Sequence, residues 1–254
     1  MKFGHTKRCE KSGYKYHCYV CSQVESAPAN TLFHKVKLGL QKAFYVVFEM
    51  STNSKSFSSI QMGKRFDIRQ GTPWYFMQKV RKSMEGNQNY RLTEIVHVYE
   101  LTAGGKSEGR SYDSKKKKVL VVELKLKHKI KRVYIKSIDD YSAKPLTPIF
   151  AEHISTTAKI VTDKWREYSP LKKKYNIEQM LGNNAENFKE LLIVIMQLKS
   201  WLRAILIHVS KWHIQPYFDR FCFRINRSQF TQSIFHKTIQ RMVFTKPIYT
   251  KNRY

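Results

Sequence analysis

The chain has 254 residues, 42% of them hydrophobic, enough to build a sizeable core in one large or two modest domains, so wholesale disorder is excluded. Lys and Arg number 47 against 19 Asp and Glu, and the resulting charge of +28 is spread from end to end rather than confined to a tail. A folded chain this basic is expected to meet a polyanion, with nucleic acid ahead of a membrane surface.

The start, Met1 to Lys7, lacks an apolar signal core. The longest apolar run, Leu191 to Leu198 broken only by Gln197, is too short to span a bilayer and reads as a buried helix, so no membrane partner is expected. Four cysteines at this length form no disulfide scaffold and fit a reducing, cytoplasmic setting. Cys18-Tyr-Val-Cys21 is half of a zinc site. Thiolates two residues apart on a tight turn can face one tetrahedral ion, but the ion needs two more ligands, and Cys9, His5 and His17 offer no second pair at ligand spacing.

From Leu32 to Met84 the apolar spacing is helical. Leu38, Leu40, Ala43, Phe44, Val47 and Phe48 mark one long helix, and 57–66 a short one capped by Ser58 or Ser59. After a turn at Asp67 to Arg69, a third helix is expected with Thr72 as N-cap and Pro73 at its first position, running to Met84. Two short helices on a tight turn read either as an ordinary three-helix unit or as a helix-turn-helix. In the second case Gln70, Thr72, Tyr75, Gln78, Lys79 and Arg81 would face a major groove.

The polar stretch 85–91 reads as a linker. Strands follow at 92–101, ending in a Gly104-Gly105 turn, at 119–124 after a basic loop that includes the lysine run 115–118, and at 132–136. A helix over 143–155 leads to a strand, Lys159 to Asp163, and 164–168 can turn into a helix. Beyond Asn187 the pattern is helical, at 188–209, 211–224 and 229–243. Asp163 either caps the turn after it or, as an acid at the carboxyl end of a buried strand, holds a divalent metal. Three antiparallel strands, a helix, then a strand ending in Asp is the order of a ribonuclease-H-like core.

Four stretches resemble the bacterial insertion-sequence transposases of the fifteen-ninety-five group, whose catalytic part is the ISXO-two-like transposase domain. They are 57–77, Val98-Tyr-Glu-Leu-Thr-Ala-Gly-Gly105, Val161-Thr-Asp-Lys-Trp165, and Leu198 to Arg203 with Tyr217 to Arg227. The resemblance implies an α/β fold, a ribonuclease-H-like mixed sheet with flanking helices over 92–208, completed by helices over 209–254. Ahead of it would stand a truncated zinc-ribbon remnant over 1–30 and a helix-turn-helix region over 31–86. It implies two Mg2+ ions, a Zn2+ site here left incomplete, and double-stranded DNA as partner, both the element's terminal inverted repeats and target DNA. Cytoplasmic action on the bacterial nucleoid and a homodimer on paired ends would follow.

This copy departs from the family. The first catalytic acid falls on Tyr99, and a neutral phenol cannot replace a bridging carboxylate. Glu100 stands beside it, but successive strand residues point to opposite faces. The second acid, Asp163, is intact. The third position, a histidine seven residues before the helix lysine, falls on Leu192 with Lys199 retained, and Glu190 is offset to the far side of the helix. Phe3 stands for a knuckle cysteine whose partner would precede Met1, Asp67 for a turn glycine and Arg220 for a glutamate. Single base changes account for the Tyr99, Leu192, Phe3 and Asp67 differences, the pattern of a copy drifting without selection. Three readings follow: an impaired transposase, a remnant that only binds transposon ends, or an unrelated basic nucleic-acid-binding protein. The last predicts no acidic cluster around Asp163. The family reading puts Tyr99, Asp163 and the Leu192–Lys199 helix in one cleft.

Overall fold

A computed structural model describes residues 9–12, 15–53, 57–86, 91–103, 117–126, 129–138, 142–164, 166–180, 188–205 and 213–248. The expected Gly104-Gly105 turn, residues 115–116 of the lysine run, and Phe3, His5, Trp165, His208 and Trp212 lie outside these residues. Among the described residues are a small three-stranded sheet, a five-stranded mixed sheet and seven α-helices.

The small sheet is an antiparallel meander of β1 (Cys9–Ser12), β2 (Lys15–Cys18) and β3 (Val24–Ser26). Helices α1 (Leu40–Thr52), α2 (Ser59–Phe66) and α3 (Gly71–Ser83) follow. Ala43, Val46, Val47 and Met50 form the buried stripe of α1, at helical spacing. Phe44 and Phe48 lie at its margin, against the rings of Phe33 and Phe235 at 5.3 and 5.6 Å. A capping box starts α2: the Ser58 hydroxyl accepts from the Gln61 amide, and the Gln61 side chain accepts from the Ser58 amide. The third helix begins earlier than its Thr-Pro pair suggested. Gln70 is the N-cap, and Thr72 and Pro73 lie inside the first turn, where a missing N–H leaves no helical bond unmade.

The large sheet has the order β6-β5-β4-β7-β8. Strands β4 (Ile95–Ala103), β5 (Lys117–Leu126) and β6 (Lys129–Ile138) form an antiparallel meander. Helix α4 (Ala143–His153) then carries the chain to β7 (Lys159–Asp163), which lies parallel to β4 on the side away from β5. Ile160, Val161 and Thr162 are all buried because both faces of the sheet are covered, so β7 reads as an unbroken β-favouring run rather than an alternating one. A single 3-10 turn, Arg166–Tyr168, stands where a helix after Asp163 was expected. Strand β8 (Asn176–Met180), parallel to β7, carried no sequence signal. An edge strand of mostly half-exposed residues needs no apolar alternation.

One face of the sheet packs Val96, Val98 and Ile160 against Leu146 and Phe150 of α4 and against Tyr168 and Leu171. The other packs Leu101, Val133, Ile135 and Val161 beneath α5 (Lys189–Ile205) and α6 (Gln215–Ile225). Helix α6 also closes the open edge at β6. The Gln215 side chain accepts from the Ser137 amide and donates to the Ile135 carbonyl at 2.9 Å each; Asn226, three helical turns on, does the same for Val133 at 2.7 and 2.9 Å. The last helix, α7 (Thr231–Phe244), contributes Ile234 and Met242 to the core of α1 and α3, joined there by Phe223 of α6.

Candidate functional site

Strands β4 and β7 bring the expected catalytic positions together. Their last registered pair is Val98 with Thr162, and one residue beyond it lie Tyr99 and Asp163. Tyr99 packs, 6.2 Å from the Phe188 ring, on the apolar cluster that also takes Val161 and Leu192. Leu192 is half-buried in the first turns of α5, and Lys199, two turns further, is exposed on the same helix. Glu190, also half-buried, belongs to the first turn of α5.

Glu100 lies on the other side of β4, as the alternation requires. There its carboxylate acts on Tyr168, which is fully buried on the α4 side of the sheet. Burial above all, then the Glu100 carboxylate and the charge of Asp163, raise the Tyr168 phenol well above its ordinary value, so it stays neutral. Tyr168 thus senses both acids. Nothing in the sequence marked it: a tyrosine five residues past an acid carries no spacing signal, and its burial comes from the fold of 166–175 over α4. Asp163 keeps Oδ1 enclosed from solvent, and its carbonyl accepts from Gln179 of β8 at 3.2 Å.

A pair of magnesium ions needs several oxygen donors on one side of the sheet end. Here Asp163 shares its face with a phenol and a leucine, while Glu100 faces away. Among the described residues no group of three or more His, Cys, Asp or Glu could hold a metal. The residues present do not fit a two-ion site. The Cys18–Cys21 turn is shaped like a knuckle: Cys18 donates its amide to Gln23 and accepts from the Ser22 amide, at 2.9 and 2.8 Å. Cys18 is buried and Cys21 exposed, and His17 packs edge-on against Tyr19, so the described residues supply no full set of zinc ligands.

The six residues expected to reach a major groove divide. Gln70 is exposed, and Thr72, Tyr75 and Gln78 are half-buried. The Tyr75 hydroxyl donates to the Ile248 carbonyl at 2.9 Å. Lys79 and Arg81 are 3% and 2% exposed, a correction to their outward placement. Lys79 donates to the His34 carbonyl at 2.8 Å, and Arg81 stacks on Tyr217 at 4.1 Å. The reason is packing: α3 is surrounded by α1, α2, α6 and α7, so solvent is left mainly to its amino end and to Lys82 in its last turn.

A strand-end acid in a mixed sheet, on so basic a chain, is consistent with an α/β protein that handles nucleic acid. The chain belongs to the ISXO2-like transposase domain family, which it matches over residues 91–226, more than half its length. Membership implies a transposase that binds DNA, and divalent metal as the family's cofactor. No curated protein matches the chain. No helix among the described residues is long and apolar enough to cross a membrane.

Proposed function

We propose that this protein is an insertion-sequence transposase by descent that binds terminal inverted repeats and target DNA but is impaired in metal-dependent cleavage and strand transfer. The observation that carries the reading is the pairing at the sheet end, where Tyr99 stands beside Asp163 and packs with Leu192 on one apolar cluster. A phenol and an alkyl side chain in those positions supply no anionic oxygen to a metal. The sheet order supports a ribonuclease-H-like core, since an antiparallel meander is extended by two parallel strands beside its first member. For DNA, the tight α2–α3 unit supports a helix-turn-helix whose contact surface is the amino end of α3, with Gln70 exposed and Thr72 half-buried, and the exposed Lys64 and Arg69 beside it. Zinc at Cys18 and Cys21, a homodimer on paired ends, and action on nucleoid DNA in the cytoplasm belong to the same reading and rest on the family alone.

A donor-cleavage and strand-transfer assay in magnesium, on the element's inverted repeats, tests this with the natural chain and with Tyr99→Asp combined with Leu192→His. The expected result is a silent natural chain and cleavage by the double variant. Cleavage by the natural chain overturns the impairment and makes Glu100 or Glu190 the ligand. Binding without cleavage by either chain favours a purely end-binding protein.

A further inference from the structure

A second basic feature lies on the opposite side of β4 from β7, two strands away along the sheet. Between β6, α6, α7 and the end of α3 is a cleft of about 860 Å³. A hollow of about 530 Å³ continues it along α7, sharing Arg227, Lys237 and Gln240 with it. Because Gln215 and Asn226 already bond the β6 backbone at Val133, Ile135 and Ser137, this part of the edge does not call for another strand. What it offers is cationic side chains.

Arg227 lies 4.0 Å over the Phe223 ring and donates to the Phe223 carbonyl at 3.1 Å. Arg241 lies over the same ring at 5.4 Å and donates to the Glu85 carbonyl at 2.9 Å. Lys237, one turn before Arg241, donates to Gln240 at 3.1 Å. Among the described residues none of the three lies within 4.0 Å of a carboxylate. The arginines crowd one another instead: burial first, then Arg241 and Arg132, push Arg227 down to about 10. Of the two acids on the wall, Glu85 is paired to Lys82 while its charge also reaches Arg241, and Asp219 is held by Gln215. Fixed guanidinium planes without carboxylate partners favour a multivalent oxyanion, and a continuous track favours a string of them.

We propose that this cleft is a track for the phosphodiester backbone of duplex DNA, held by Arg227, Lys237 and Arg241. It rests on the DNA-binding reading above and adds a contact surface away from both Asp163 and the α2–α3 turn. Phosphate contacts position a duplex without reading its sequence. The track would therefore hold inverted-repeat and unrelated DNA alike.

The test is the affinity of the full chain for two labelled duplexes, one carrying the inverted repeat and one of unrelated sequence, across a salt series. Lys237→Glu changes an exposed side chain, Arg227→Gln removes a charge, and Arg227→Lys keeps it. Lys159→Glu makes the same charge change as Lys237→Glu at the start of β7. Lys237→Glu and Arg227→Gln are expected to weaken both duplexes equally and to lower the slope of log affinity against log salt by about 0.9 for each phosphate no longer neutralised. Arg227→Lys should retain most of the binding. Unchanged slopes in both variants, or an equal loss from Lys159→Glu, overturn the track and leave DNA binding standing. A natural chain that binds neither duplex overturns both.

Discussion

Arg220 of α6 is fully buried, and its Nε donates to the Met50 carbonyl at 3.1 Å. Its two terminal nitrogens, with Nε and Nη1 of Arg81, meet no acceptor. The rings of Phe57 and Trp201, 5.4 and 5.6 Å from the Arg220 guanidinium, and Tyr217 beneath Arg81 offer only their faces. Burial, then the charges of Arg81 and Arg224, push Arg220 down to about 9. Two like charges out of water are a net cost, and the family resemblance sets a glutamate at this position. Arg220→Glu, which gives Arg81 a carboxylate, is expected to stabilise the protein by roughly 2–4 kcal/mol, and Arg220→Met to do so by less. Thermal or urea unfolding checks this. A fall in stability for both variants would mean that the guanidinium is better accommodated than its surroundings indicate.

At the scale of elements, the turn between α2 and α3 decides whether two short helices hold a fixed angle. Asp67 closes α2 in the left-handed region, φ 51°, with its amide bonded to the Gly63 and Lys64 carbonyls. Gly63 is there for a different reason: a Cβ on it would stand 2.9 Å from the Ile68 carbonyl oxygen. Asp67→Gly should therefore stabilise by a few tenths to about 1 kcal/mol, because glycine adopts that φ without the Cβ penalty. Gly63→Ala should destabilise by roughly 1–3 kcal/mol, although alanine is the better helix former. Denaturant titration of both single variants gives the two signs. These elements were largely legible: a serine cap at the start of α2, the α1 helix and the strand run into Asp163 are local signals set by a few neighbouring residues. The buried stripe of α1, however, is Ala43, Val46, Val47 and Met50, with Phe44 and Phe48 left largely exposed. Strand β8 and the burial of α3 were not, because each depends on what packs from elsewhere in the chain.

For the whole molecule, the cleft between sheet and C-terminal helices also sets how stability responds to pH. Burial raises Asp219 from its ordinary 3.8 to about 6, so the stability it contributes is present below pH 3.8 and lost as pH rises through about 6. Burial, with Lys136, lowers His153 from 6.5 to about 4, so its contribution is present above pH 6.5 and lost as pH falls through about 4. Between about pH 4 and 6 the two oppose each other. Asp219→Asn leaves His153 alone, so the variant should be more stable than the natural chain at pH 7 and lose stability more steeply on acidification. Melting curves at several pH values check this, and a variant whose profile overlays the natural one would refute it.

By itself the sequence determined that the chain folds, that it is basic throughout, where most of its helices and strands lie, and that Asp163 ends a strand. It also carried the family resemblance, since the motifs around Val98–Gly105 and Val161–Trp165 are contiguous. Such properties are fixed by composition and by side chains close together along the chain. Tertiary structure alone decided that Tyr99 and Leu192 share an apolar cluster next to Asp163, and that Tyr168 lies near both acids. It also decided that Lys79 and Arg81 turn inward and that Arg227, Lys237 and Arg241 line one track. Tyr99 and Leu192, Tyr168 and Glu100, and Arg81 and Tyr217 are tens to more than a hundred positions apart and meet through sheet register and helix packing, which local periodicity does not record. Lys237 and Arg241 are one turn apart, but only the packing of α7 against β6 and α6 makes them a wall of the cleft.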